Sequence, residues 1–317
     1  MRGPDVSVVI PAFNAERWIV DAIESVATAS GLALEILVVD DGSTDRTAEI
    51  VRGFGNRVRA IELQHSGVSR ARNAGTAAAG GRFIQYLDAD DVLAPGTLDA
   101  RVALAEDTGA GVIYTDWIRW TEADDGTHRD AELVARTLSV RPEIDLFTDG
   151  WWPPGALLYR RTVVDQVGPW REDLPVIQDA RFQLDASRIG ATFVHLAAVG
   201  LRYRVGRTQT LSRRDPRAFL ADCFHNARTL HDEWTEQGAM DRERRDALVR
   251  VYSHVARSLY QYDRRAFDEV HRRLTALDPD FIPEGPRSLR MLSRLIGYPA
   301  AEGVALAWRR TRGQRGA

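Results

Sequence analysis

The chain has no lysine: all 42 of its basic residues are arginine. That absence excludes chemistry, because a Walker-type phosphate loop needs its lysine and so does a Schiff base to pyridoxal phosphate. Cysteine is nearly as scarce, with Cys223 alone. One thiol supports neither a disulfide framework nor a cysteine-rich metal site, and it fits a reducing compartment. No run approaches the roughly 20 apolar residues that span a bilayer. The N-terminal MRGPDVSVVIPAFNAE carries an apolar stretch too short for a signal peptide, with Asp5 beside it. A cytoplasmic protein is therefore expected. The seven histidines are scattered without ligand spacing such as HExxH, and a net charge of −3 gives no general affinity for nucleic acid.

With 317 residues there is room for one large α/β domain plus an appendage, or for two ordinary domains. Hydrophobic residues at 44% and charged residues at 27% indicate a soluble globular protein. The first half alternates. VSVVI (6–10), LEILVV (34–39), VRAIEL (58–63), RFIQYL (82–87) and GVIYTDW (111–117) read as strands. Between them lie helical patterns: Trp18, Ile19, Ala22, Ile23 and Val26; a helix starting at Ser43 or Thr44; SRARNAGTAAAG (69–80); and a helix opened by Pro95. Such alternation predicts an α/β fold with a mostly parallel, doubly wound sheet. Residues 121–150 read as a loop with short helical pieces. Shorter elements follow to about 210, including a helix around 180–189 and a strand over 199–205. Helical stripes occupy 218–237 and 246–277. The expected division is a domain over 1–215 and a helical region over 216–317.

The stretch FIQYLDADDVL (83–93) sets Asp88, Asp90 and Asp91 together at a strand end, where like charges raise one another's pKa. Either water solvates a turn there, or something positive binds. Asp40-Asp41 ends another strand, and ligands of doubly wound sheets bind beyond the carboxyl ends of the strands, so the two groups are expected to face one cleft. Positions i and i+2 of an extended chain share a side, which lets Asp88 and Asp90 serve a hard divalent cation whose other ligands are phosphate oxygens and water. Gln178-Asp179 is a third acidic signal. In WWPPG (151–155), neighbouring rings point opposite ways, so one of Trp151 and Trp152 is expected to pack. The other either faces the cleft as a sugar platform or packs as well.

VSVVIPAFNAERWI, ILVVDDGSTDRT, SGVSRARNAG and FIQYLDADDVL, in this order, resemble the family-2 glycosyltransferases. These are inverting enzymes of the GT-A fold, and the likeness is to those of bacterial cell-surface and spore-coat polysaccharides. VIQDARFQLDASRIG resembles the family's acceptor-side segment, so the likeness covers about residues 5–210. The resemblance implies a nucleotide-diphosphate sugar donor, UDP being the commonest, and a glycan or lipid-linked acceptor. It places Pro11 and Phe13 along the nucleobase, Asp41 on a ring N–H, and Arg72 near the phosphates, with Arg70 as competitor; by their own residues alone, Phe13 reads equally as core and Asp41, like Asp40, as a cap of the Ser43–Thr44 helix. Asp88 would hold the ribose or the metal's outer shell, Asp90 would ligate Mn²⁺ or Mg²⁺, and Asp179 would be the general base. Asp91 is expected to cap the following helix, and Asp185 to be structural. Where the family often has a histidine, this chain has Gly206 or Arg207, and Arg207 is expected on the phosphates within a lid over 204–214.

The tail from Glu284 carries seven arginines against two glutamates, with Leu289, Met291, Leu292, Leu295 and Ile296 among them. It reads either as a basic amphipathic segment that meets an anionic membrane or as a solvated helix face. The helical region would form a dimer interface, cover the acceptor or dock on a membrane. Two alternatives remain open: a nucleotide-sugar-binding module without turnover, and a haloacid-dehalogenase-type phosphatase using Asp88. The second is opposed by the three strands that precede the motif and by the missing lysine.

Overall fold

The computed structural model describes residues 3–27, 31–122, 128–205 and 215–313. Chain contacts divide it into two units, Met1–Thr210 and Leu211–Ala317.

In the first unit, β1 (Val6–Ala12), β2 (Leu34–Asp40), β3 (Arg59–Glu62) and β4 (Phe83–Tyr86) run parallel in the order β3-β2-β1-β4. Val8, Val9 and Ile10 of β1 and Leu37, Val38 and Val39 of β2 are all buried. The two strands are therefore covered on both faces, which is why their sequences are continuous apolar runs. α1 (Ile19–Ala27) buries the Ile19, Ala22, Ile23 and Val26 stripe. α2 (Thr47–Gly53) begins later than Ser43 or Thr44. Local side-chain bonds hold the preceding residues in turns: Asp40 Oδ1 accepts from the Ser43 amide and hydroxyl, and Asp45 Oδ1 accepts from the Thr47 amide at 2.9 Å. α3 (Val68–Ala78) lies so close to the sheet that a Cβ on Gly75 would sit 2.4 Å from Cγ1 of Val9. α4 (Thr97–Thr108) follows the acidic turn.

The sheet continues through β8 (Leu157–Arg160), β6 (Val112–Glu122), β9 (Phe193–Arg204) and β5 (Val92–Leu93), with β7 (His128–Val134) also pairing β6. β1–β4, β6 and β9 point one way and β5, β7 and β8 the other. The fold is α/β, GT-A-like, with a mixed, mostly parallel sheet. Residues 121–150 are not simply a loop: β6 runs on to Glu122 and pairs antiparallel with β7, and among the described residues there α5 (Pro142–Thr148) is the only helix. Residues 129–133 of β7 are exposed on both faces, so the strand shows no apolar side to read.

α6 (Arg161–Val167) and α7 (Gln178–Arg188) complete this unit. Arg101 is fully buried and ties α4 to the sheet, donating to Gln85 Oε1 at 2.6 Å, to the Gly155 carbonyl at 2.9 Å and to Thr115 Oγ1 at 2.8 Å. Burial lowers its pKa to about 9. Through Gly155 it fixes the chain just beyond the paired tryptophans.

The second unit comprises α8 (Pro216–Glu236), α9 (Arg242–Tyr262), α10 (Arg264–Leu277), α11 (Arg287–Ile296) and α12 (Tyr298–Gly313). Asp215, Asp241 and Asp263 cap α8, α9 and α10 by accepting backbone amides. The cap at Asp263 divides the 246–277 stripe into two helices. Leu230 and Trp234, Tyr252 and Val255, and Phe267 and Val270 form the core. Cys223 is largely enclosed, and burial pushes its thiol up to about 12. No helix among the described residues is long and apolar enough to cross a membrane.

Candidate functional site

The loop after β1 leaves Phe13 exposed, at 45%, so this ring is not core. Pro11 is buried within β1 opposite Val39 and shapes the strand end without presenting a face. Asn14 adopts a left-handed backbone (φ 49°). Its amide donates to Ser43 Oγ at 2.9 Å, and its own Oδ1 accepts the Thr44 amide at 2.8 Å. Ala15 donates to Thr47 Oγ1 at 2.8 Å and Arg46 to Glu16 Oε2 at 3.0 Å. The loops that end β1 and β2 are thus latched into one rim.

Asp41 stands behind this rim. Its buried carboxylate accepts the Ser66 amide at 2.9 Å and the Gly67 amide at 2.8 Å, and Nδ1 of His65 lies 2.9 Å from Oδ2. The His65 ring also stacks on Phe13, with centroids 4.1 Å apart and planes at 22°. Gly42 is required beneath: its φ is +75°, and a Cβ there would lie 2.8 Å from the His65 amide nitrogen.

At the end of β4, Asp88 accepts Nη2 of Arg72 at 2.6 Å. Arg72 is almost wholly buried, with its guanidinium 4.4 Å over the Trp170 ring, which stacks in turn on Phe182 at 4.2 Å. Its Nε and Nη1 are buried and have no protein acceptor among the described residues. Arg70 is exposed, and of the two arginines of α3 it is Arg72 that pairs with Asp88. Asp91 does not cap α4, whose N-cap position is Gly96. Instead its Oδ1 accepts the Arg204 amide at 2.9 Å, while the Asp90 carbonyl accepts Arg204 Nε at 2.9 Å, so the acidic turn is fastened to β9. Burial first, then the charges of Asp90 and Asp88, hold the Asp91 carboxyl well above its usual range. Asp88 and Asp90 are half-buried. Crowded carboxylates of this kind suit a divalent cation that relieves their repulsion. Among the described residues no group of three or more His, Cys, Asp or Glu forms a metal cage; a divalent cation at Asp88 and Asp90 would need its remaining ligands from phosphate and water. Asp88 follows β4 and not β1, which removes the dehalogenase-type alternative.

Asp179 lies in the first turn of α7. Its Oδ2 accepts Trp151 Nε1 at 2.7 Å and its Oδ1 accepts the Ala180 amide at 2.8 Å. Burial raises its pKa above the ordinary 3.8; the Arg72 charge and these two donors pull it down, and Asp88 adds to the rise. Trp152 is buried against Tyr114 and Trp117. It belongs to the core and not to an acceptor surface, leaving Trp151 alone as the candidate there. Asp185 pairs with Arg181 at 2.8 Å and Arg188 at 3.2 Å. Arg207 lies outside the described residues, as does most of the expected lid.

Tyr203 of β9 escaped the sequence reading. Its ring packs edge-on to Trp151 at 5.6 Å. Burial, then the charges of Asp91, Asp88, Asp179 and Asp90, drive its phenol far above the ordinary value. Tyr203 thus lies beside Trp151 and within electrostatic reach of both the acidic turn and Asp179. His65 and Trp170 were missed as well. Only the alternation of LRYRV, which sets Tyr203 on the opposite face from Arg202 and Arg204, gave any signal.

The chain resembles known proteins throughout this region. The model of Glycosyl transferase family 2 matches residues 7–167. The uncharacterized glycosyltransferase EpsJ of Bacillus subtilis is 28% identical over 195 residues, covering 58% of this chain and 56% of EpsJ. The succinoglycan biosynthesis protein ExoO of Rhizobium meliloti is 42% identical over 111 residues, covering 34% of this chain and 32% of ExoO. The matches thus span about half or less of these relatives' lengths. The structure of S. aureus TarS 1–349 in complex with UDP-GlcNAc superimposes with a TM-score of 0.62 at 19% identity, covering 97% of this chain and 92% of that one, a likeness of fold. The ordered motifs, the sheet that carries them and the family match agree: the chain belongs to glycosyl transferase family 2, among relatives of bacterial polysaccharide glycosyltransferases.

Proposed function

We propose that this chain transfers a hexosyl group, with inversion, from a UDP-sugar to a hydroxyl of a glycan or lipid-linked acceptor, with residues 1–215 as the catalytic domain. The observation that carries the reading is Asp179: a half-buried carboxylate with raised proton affinity, held by the Trp151 N–H and lying, like the acidic turn, near Tyr203. A base tuned upward by burial is what removal of a hydroxyl proton calls for. The UDP-GlcNAc bound by TarS supports the donor, and the succinoglycan role in the name of ExoO supports a polysaccharide product.

In this reading Phe13 offers a flat face to the base, and Asp41 accepts a ring N–H, with Pro11 fixing the strand end behind them. Asp90, with Asp88, would hold Mn²⁺ or Mg²⁺, which when bound sets positive charge against the departing diphosphate. Arg72 adds permanent charge beside Asp88, and its unmatched N–H groups suit phosphate oxygens; Arg207 is assigned to the same phosphates. The acceptor oxygen bonds to the anomeric carbon as Asp179 takes its proton. The bond from that carbon to the diphosphate oxygen breaks, and its electron pair leaves with UDP. Attack on the opposite face inverts the centre, through a state like that of glycoside hydrolysis. Trp151 borders the acceptor hydroxyl. A lipid-linked acceptor would be met at a bilayer surface on the cytoplasmic side.

Calorimetry against UDP, GDP, dTDP and CDP, with and without Mn²⁺, tests the proposal. Manganese-dependent binding of one nucleotide, lost in Asp90→Asn, is expected. Failure of the folded protein to bind any of the four sinks it.

A further inference from the structure

α11 packs through one stripe and leaves the opposite one bare. Leu289 and Ser293 are buried, whereas Met291 and Leu295 are 63% and 77% exposed. At about 100° per residue, Met291 points directly away from the buried pair. Leu295 lies to one side of it, and Arg287, Arg294 and Arg290 follow in turn on the other. These three arginines are exposed and make no ion pair or hydrogen bond with any described residue. Several other exposed arginines are paired, such as Arg52 with Glu62 and Arg82 with Asp5, so three on one helix without a partner among the described residues stand apart. No acidic residue occurs between Glu284 and Glu302, and Glu302 itself is buried and paired with Arg309.

We propose that this face of α11 docks on the headgroup layer of an anionic phospholipid bilayer. Guanidinium groups bind phosphates through paired N–H donors. Long arginine stems let the charge stay at headgroup level while neighbouring Met291 and Leu295 enter the acyl boundary. A second copy of the chain fits this face poorly, because a two-fold contact would set the three arginines against their own copies with no acid in the patch to offset them. The inference is independent of the donor-site reading, and nucleotide calorimetry reports on that reading separately.

The test is co-sedimentation of the full chain with two kinds of vesicle: phosphatidylcholine alone, and phosphatidylcholine with about one quarter phosphatidylglycerol. Binding to the anionic vesicles only, weakened by salt, is expected. Each of Arg287→Gln, Arg290→Gln and Arg294→Gln should lower partitioning by roughly fivefold. Met291→Asp with Leu295→Asp should abolish it, with circular dichroism and nucleotide binding unchanged. No sedimentation of folded protein, or sedimentation indifferent to these substitutions, overturns the proposal. So does a dimer in light scattering that Met291→Asp with Leu295→Asp dissociates, which would make the face a contact between copies.

Discussion

The indole N–H of Trp151 donates to Oδ2 of Asp179 across 2.7 Å. A donor aimed at a carboxylate favours its ionised form, so Trp151 works against the burial that raises this group's proton affinity. Trp151→Phe keeps a ring of similar shape and removes only the donor. The acid limb of the pH–rate profile should move to higher pH. The rate at neutral pH should fall by about tenfold, the scale of one hydrogen bond to a charged group. If Trp151 served only as a sugar platform, the substitution would change KM for the acceptor and leave the acid limb in place.

Asp179→Asn should lower kcat/KM by about 10²–10⁴-fold, the usual contribution of a general base, without weakening the fold. A carboxyl with a raised folded-state pKa contributes its full stabilisation only below the unfolded value of 3.8 and loses it as pH rises through the folded value. At neutral pH the ionised group is therefore a burden on stability, and the amide should hold or raise Tm at pH 7. At pH 3 the difference between the two proteins should shrink. Thermal melts at both values, beside the kinetics, check both halves.

His65 stacks on Phe13 and sets a nitrogen at the Asp41 carboxylate, the same pair of contacts the proposed function assigns to a nucleobase. Phe13→Ala should weaken UDP binding by about tenfold, within the range of base–aromatic stacking. His65→Ala should tighten UDP severalfold, because ring and carboxylate are then no longer shared. Weaker binding by His65→Ala would instead identify the imidazole as a second wall of the base site. Calorimetry distinguishes the two.

Gly75→Ala places a methyl within 2.4 Å of Val9 Cγ1. Alanine's better helix propensity offsets part of the overpacking, leaving a net loss of about 1–2 kcal/mol. Urea unfolding measures it. Because α3 also carries Arg72, nucleotide affinity should fall as the helix is pushed off the sheet.

The strands β1 and β2 could be read directly, since burial on both faces writes itself as an unbroken apolar run, and the α1 stripe was equally plain. β7 could not, because an edge strand wet on both faces has no period to detect. Asp88, Asp90 and Asp91 are one residue type within four positions, and only the pairing of the turn with Arg204 on β9 shows that Asp91 is the buried member. Tyr203 and Trp170 lie far along the chain from the residues they face. Nothing in their local sequence reports a neighbour that the sheet order supplies. Asp41 could be singled out beside Asp40 by its place after β2, but its partners at residues 65–67 depend on how the chain returns after β3.

The latch between the loops that end β1 and β2 has a kinetic consequence. Asn14, Ala15 and Glu16 are bonded to residues 43–47 by backbone-to-side-chain links, so the rim holds its shape before any ligand arrives. Little ordering remains to be done on encounter, and different nucleotides should associate at similar speeds. Discrimination among bases would then reside in how long each one stays.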